Sequence, residues 1–401
     1  MVNRMRKIEL LAPAGSIDRL KIALLYGADA VYFGGRNYSL RANAKNLGID
    51  EIREACDYAH SLGKRVYVTV NIVFHNEDTN GLVDYLCELE KCGVDAIIVS
   101  DPLVINIVKE NNINISIHIS TQYSSVNYET VKFWKELGVE RVVLGRETSR
   151  EEIKEIIDKT GVEVETFVHG AMCSSYSGRC VLSNYFTNRD ANRGGCSQIC
   201  RWNFDLCVDG NKVDTDTQFT ICSKDLCMLE YLSDMIEIGI SSLKVEGRMR
   251  SIYYVATVIN TYRRAIDDYY NGVLNNDKIK YYLKVLGRVA NRDSCPQFFN
   301  RFPDVSEQYF LGREEISNQD YLGIVNSYDG EYVTLTQKNY FKAGDVVEFI
   351  SPDRDTFSVV VPEIYDIDGN MLDCARHPEQ VVKFKLERKV FEYDMMRIKI
   401  D

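Results

Sequence analysis

Over the first two thirds of the chain, short apolar runs alternate with longer stretches of helical spacing. The runs Ile8–Ala12, Ala30–Gly34, Arg65–Asn71, Ala96–Ser100, Ile115–Thr121, Arg141–Gly145, Val162–His169 and Ser242–Glu246 read as strands. Between them, Asp50–Leu62, Thr79–Cys92 and Arg150–Thr160 have helical periodicity, and Val131, Phe133, Trp134 and Leu137 leave one face of their segment free for charge. Strict alternation of strand and helix predicts a parallel sheet. Eight such units predict closure into an α/β (β/α)8 TIM-like barrel rather than an open doubly wound sheet. Glycines at Cys92–Val94, Leu137–Val139 and Ile238–Ile240 sit where a helix stops in the left-handed conformation before the next strand. Asp101, ahead of Pro102, reads as a helix cap.

The rhythm breaks after the seventh strand, where the next follows only after more than seventy residues, against about thirty for a βα unit. This predicts a cysteine-rich insertion at 170–230 on the face where barrel enzymes do their chemistry. A polar stretch at 291–320 reads as a linker after a barrel at 1–290. From Tyr321 the period changes to two, with an Asp-Gly turn at Asp329–Gly330, which predicts a small C-terminal β-barrel domain of about six strands at 321–401.

Composition adds the chemistry. The chain is 45% hydrophobic and 27% charged, as expected of a globular protein. Its net charge of −11 means that any nucleic-acid contact needs a local basic patch. No apolar run is long enough to span a bilayer, and the run after the basic Met1–Lys7 is too short for an export signal, so a cytoplasmic protein with no membrane contact is expected. In that setting twelve cysteines do not suggest a disulfide framework. Cys56, Cys87, Cys92, Cys295 and Cys374 are scattered and read as small buried hydrophobes. Cys173, Cys180, Cys196 and Cys200 are clustered with spacing C-x6-C-x15-C-x3-C, and Gly194–Gly195 allow close backbone approach just before Cys196. On residue chemistry alone, a [4Fe–4S] cluster, a zinc ion and unliganded thiols all remain open for this set.

Arg179, Arg189, Arg193 and Arg201 share the insertion with Tyr176, Tyr185, Phe186 and Trp202. That mixture suits a phosphate backbone with stacked bases, or a cationic shell around anionic thiolates. Polar residues also gather at the predicted strand ends: Asn71, His75, His118, Ser120, Gln122, Arg146, Glu147, His169, Lys244, Glu246 and Arg248. Asn71, Gln122, His169 and Glu246 are the candidate catalytic groups; Arg41, His118, Arg146, Lys244 and Arg248 are candidates for binding an anionic substrate. No nucleophile elbow, HExxH or glycine-rich phosphate loop is present.

The run from Glu165 through Phe167, Gly170-Ala171-Met172-Cys173, Gly178, Cys180 and Leu182-Ser183 resembles the signature of the collagenase-like peptidase family, number thirty-two among peptidases of unassigned mechanism. The likeness continues in LLAPAGS, GADAVYFGG, VNIVFHN, SDPLVI, STQ, GRETS, SKDL and SLKVEGRMRS. It implies the barrel, the C-terminal β domain and an iron–sulfur cluster on Cys173, Cys180, Cys196 and Cys200, with Cys222 in reserve because a later cysteine is a ligand in some branches. Bacterial members resemble oxygen-independent hydroxylation factors for RNA and quinone precursors. The nearest branch forms 5-hydroxyuridine at the tRNA wobble position, with prephenate as hydroxyl source.

The resemblance therefore implies a 4Fe–4S cofactor, prephenate as co-substrate, the anticodon loop of tRNA as partner, and a paralogous family member as a further one. Other branches act on ribosomal RNA or a quinone precursor. The competing reading is a peptidase, in which His169 and Cys173 would be base and nucleophile; a third is a scaffold partner whose cluster is structural.

Overall fold

The computed structural model describes residues 7–40, 46–214 and 219–399. Eight parallel strands close into a barrel: β1 (Glu9–Pro13), β2 (Ala30–Gly34), β3 (Arg65–Val70), β4 (Ala96–Val99), β5 (Ser116–Ile119), β6 (Arg141–Val143), β7 (Glu163–Gly170) and β8 (Ser242–Val245). The ladder from β8 to β1 and onward to β7 is completed by pairing of β8 with β7, which leaves no open edge. All eight are strands expected from the apolar runs. Leu10, Val31, Val68, Ile97 and Val142 point outward into the main core, against helices such as Ile49–Ser61 and Arg150–Thr160. Those helices are punctuated locally. Ser149 and Glu152 form a capping box, Asp101 caps its helix by accepting from the Leu103 N–H at 2.9 Å, and Gly93, Gly138 and Gly239 have positive φ at helix ends.

The inside of the barrel alternates with that outer face and is largely polar at its base. Arg141 is buried and pairs with Glu9 at 2.5 Å, Glu163 at 2.7 Å and Glu165 at 3.2 Å. Lys244 donates to Glu165 at 2.7 Å, and Arg65 pairs with Glu9 at 2.5 Å. Tyr67 donates its hydroxyl to Glu9 at 2.8 Å. Burial works to raise the Glu9 carboxyl, but Arg141 and Arg65 hold it below the ordinary carboxylate value.

The C-terminal domain is antiparallel. Its main sheet has eight strands, from Phe357–Val360 at one edge to Met371–Leu372 at the other, with Gln319–Tyr328 and Met395–Lys399 adjacent near its centre. It curls around Leu322, Val333, Phe349 and Phe384 as a half-barrel. The sheet therefore has more strands than the six expected, and no ladder joins its outermost strands among the described residues. Ile364–Asp366 and Met371–Leu372 are too short to show a period of two. The domain is fastened to the barrel: Tyr26 donates to the Tyr393 carbonyl at 2.9 Å, and the rings of Tyr253 and Tyr321 stack with centroids 5.2 Å apart.

The stretch 291–320 is not a free tether. Asn291 bridges to Ile316, Gln308 bridges to Ser223 of the insertion, and buried Arg292 pairs with Asp225. Among the described residues, no helix is long and apolar enough to cross a membrane.

Candidate functional site

The chain leaves β7 through Gly170, whose φ is 105°. A Cβ there would stand 2.6 Å from the Glu246 carbonyl oxygen, so glycine is required where the insertion begins. The insertion then winds over the C-terminal mouth of the barrel through short turns and the helix Leu182–Thr187. It returns at Asp225–Cys227, where Leu226 pairs antiparallel with Gly170 itself.

Between insertion and barrel lies a cavity of about 430 Å³. Cys173, Cys180, Cys196 and Cys200 all line it, together with Gln122 and Arg146 from the barrel rim and Glu246 at the end of β8. Two thiols accept backbone hydrogen bonds: Cys173 from the Ser175 N–H and Cys180 from the Leu182 N–H, both at 3.4 Å. Burial pushes the Cys173 thiol up, opposed by that N–H, and burial pushes Cys200 up, opposed by the Ser174 hydroxyl. Cys222 is buried and interacts electrostatically with both Cys173 and Cys200, but it does not line the cavity. Among the described residues no three His, Cys, Asp or Glu side chains are grouped tightly enough for a single metal ion.

Two arginines on the cavity wall are not committed to a described carboxylate. Arg146 donates to the Ala171 carbonyl at 2.8 Å and lies 3.9 Å over the Phe167 ring; Arg201 donates to the Gln198 side chain at 3.2 Å. Burial, and Arg292 next to it, lower the Arg201 guanidinium below its ordinary value.

Other expected site residues lie elsewhere. His169 was expected at the catalytic rim, but β7 shifts register against β8 between Lys244 and Val245, so His169 pairs with Val245. The extra residue turns its ring out of the barrel, against Tyr254 and Tyr262 at 6.0 and 5.6 Å. Burial and the charge of Arg250 hold it neutral, at about 3. It is therefore not placed as a base for Cys173, and the dyad of the peptidase reading is not formed.

His118 lies inside the barrel, edge-on to Tyr67 at 4.8 Å, and burial with the charges of Arg141, Lys244 and Arg65 keeps it neutral. Lys244 is engaged by Glu165 below the cavity. Asn71 is a structural tie: it accepts from the Leu40 N–H and donates to the Ser120 hydroxyl, each at 3.3 Å. Arg248 is buried at the rim and donates to Ser39 at 3.2 Å, Thr69 at 3.3 Å and Asn46 at 2.9 Å. Arg41 lies outside the described residues.

The four insertion arginines also separate. Arg179 and Arg189 are exposed, Arg179 donating to the Gln122 carbonyl at 2.6 Å. Arg193 is held by Asp78 at 2.9 Å, and Arg201 faces the thiols. Two cavity residues were not anticipated. Arg250 pairs with Glu315, which reaches the cavity from the stretch read as a linker. Polarity alone concealed that this stretch folds back.

A family model described as Peptidase family U32 matches residues 15–309, and one described as its C-terminal domain matches 317–397. The chain is 50% identical over 400 residues to tRNA hydroxylation protein P1 of Bacillus subtilis, covering 98% of this chain and 95% of the other. It is 35% identical to tRNA hydroxylation protein P of Escherichia coli, covering 87% of each. It is 36% identical to the 23S rRNA 5-hydroxycytidine C2501 synthase of Escherichia coli, covering 65% of this chain and 39% of that one.

Proposed function

The chain belongs to peptidase family U32, and from that premise and the geometry of the cavity we propose that it is a tRNA hydroxylase, forming 5-hydroxyuridine at the wobble position with prephenate as the hydroxyl source. The observation that carries this reading is the convergence of Cys173, Cys180, Cys196 and Cys200 on one cavity with Gln122, Arg146 and Glu246. Two relatives with tRNA hydroxylation in their names, matched over 98% and 87% of this chain, support the substrate.

The donor set fits a [4Fe–4S] cluster. Four thiols line one cavity, and two already accept N–H groups, a contact that favours thiolate ligands. A four-iron cube takes one sulfur per iron and spaces its ligands more widely than a single tetrahedral zinc, whose Zn–S bonds are about 2.3 Å. When bound, such a cluster supplies iron as a Lewis-acidic or one-electron centre beside the substrates.

The protein's own groups then bind and orient. Arg146 and Arg201 are the guanidiniums free to grip the carboxylates of prephenate in a bidentate fashion. Gln122 presents an amide able to pair with the polar edge of uracil, and Glu246 brings a carboxylate able to accept a proton to the same cavity. Exposed Tyr185 and Phe186, beside Arg189, offer faces and charge to unpaired bases of an anticodon loop.

The test is nucleoside mass spectrometry of tRNA from wild-type, deletion and prephenate-deficient cells, in a background without a redundant paralogue. Loss of 5-hydroxyuridine derivatives in both mutants is expected; unchanged levels in the deletion strain would rule the function out. Protein purified without oxygen should be brown and bleach with dithionite, and replacing any one of the four cysteines by alanine should remove colour and iron. Colourless protein carrying stoichiometric zinc would sink the cluster assignment.

A further inference from the structure

The span from Cys173 to Cys180 turns through a conformation that serine disfavours. Ser177 has φ 46°, in the left-handed region, and is buried. Its backbone N–H and its hydroxyl both donate to one carboxylate, Glu147, the hydroxyl at 2.8 Å. Glu147 follows β6 and so belongs to the barrel rim, not to the insertion. The next residue, Gly178, has φ 77°, and a Cβ there would sit 2.9 Å from the Gln122 amide nitrogen. The turn is thus pressed onto the rim and held there by one acid.

A second bracket grips Cys180. The side-chain amide of Asn192 accepts from the Cys180 N–H at 3.2 Å and donates to the Cys180 carbonyl at 3.1 Å. The backbone carbonyl of Asn192 accepts from the Val73 N–H at 3.0 Å, which anchors the same residue to the barrel. Asn192 lies in the turn that leads through Gly194 and Gly195 into Cys196.

We propose that Glu147 and Asn192 are positioning residues for the thiol set: Glu147 fixes the span from Cys173 to Cys180, and Asn192 ties Cys180 to the turn entering Cys196. The proposal rests on the reading of those thiols as cluster ligands. No described hydrogen bond joins either side chain to a thiol; each acts on the backbone between or at the ligands. A polynuclear cluster must find its four sulfurs at one set of positions, so a span left loose loads poorly or loads in a distorted geometry.

The test is anaerobic reconstitution of the full chain with ferrous iron and sulfide. It reads iron per chain, the electron paramagnetic resonance of the reduced protein, and the reduction potential. Glu147→Ala and Asn192→Ala should each hold less than half of the wild-type iron, and what loads should show a changed resonance and a shifted potential. Glu147→Gln keeps one acceptor oxygen in place of two and should fall between, with the wild-type circular dichroism spectrum. It also serves as the reporter if Glu147→Ala does not fold. Alanine variants with wild-type iron, resonance and potential overturn the proposal while leaving the cluster reading intact. Wild-type protein that takes up no iron overturns both.

Discussion

Two charged regions lie one above the other in this barrel. At its base, Arg141, Arg65 and Lys244 meet Glu9, Glu163 and Glu165, all within the strands and mostly buried. At its mouth, Arg146 and Arg201 face a cavity and, among the described residues, donate to neutral oxygens. Arg146 lies just beyond the end of β6 and Arg201 in the insertion above it, yet that step out of the strands decides their role. A charge inside a strand faces the closed interior and must be neutralised by its neighbours, because an unpaired buried ion is very costly. Arg146 and Arg201, outside the strands, face the cavity and remain available to a ligand.

Removing one member from each region gives the largest contrast. Arg141→Ala leaves Glu9 and Glu165 buried without their shared cation and should cost about 3–5 kcal/mol in denaturant unfolding. Arg146→Ala should shift stability by less than about 1 kcal/mol while abolishing hydroxylated product. Equal destabilisation by the two substitutions would erase the distinction.

A smaller effect comes through pH, from a buried histidine that belongs to neither region. His169 titrates near 3 in the folded chain against 6.5 when exposed, so above pH 6.5 both states are neutral and no penalty exists. Between 6.5 and 3 the unfolded chain takes up a proton that the folded chain refuses, and stability falls as pH falls. By pH 5 the loss from this one group is about 2 kcal/mol. His169→Phe should flatten that acid limb in unfolding measured from pH 7 to 5, whereas Arg146→Ala should leave its slope unchanged.

The smallest effect concerns the outer surface. Arg189→Ala removes an exposed charge and should weaken tRNA binding about twofold to threefold, lowering the salt slope by about one, with stability unchanged. Arg193→Ala should leave the salt slope as it is, because Asp78 already holds that guanidinium. A reversed order in filter-binding titrations would overturn this sorting of the arginines.

Much of this was legible in the residues, for identifiable reasons. Strands of a parallel barrel are covered on their outer faces by helices, so they print as short apolar runs. All eight did so, and the break before Ser242 marked the insertion. That Cys173, Cys180, Cys196 and Cys200 share one cavity was legible because all four fall within a single insertion between two strands of the barrel.

His169 was misplaced because one extra residue in β7 reverses which face it points to, and a bulge leaves no mark in a hydrophobic pattern. Lys244 and His118 were read as rim groups because sequence gives the order of residues along a strand but not their depth in the barrel. Glu315 was missed because a polar stretch that packs back on the fold looks like one that does not. The last two strands at one side of the C-terminal sheet, Ile364–Asp366 and Met371–Leu372, were missed because two or three residues carry no period.

The pairing of Leu226 with Gly170 has a consequence for how such a protein can change. The insertion departs and re-enters at the same rung of the sheet, so its two ends meet, and its length places almost no demand on the barrel. A change in the length of the insertion's outer turns can then leave the register of the eight strands beneath unaltered. The wall of the cavity on the barrel rim and the wall on the insertion can vary separately, within the ties that Ser177, Asn192 and Arg193 make to the barrel.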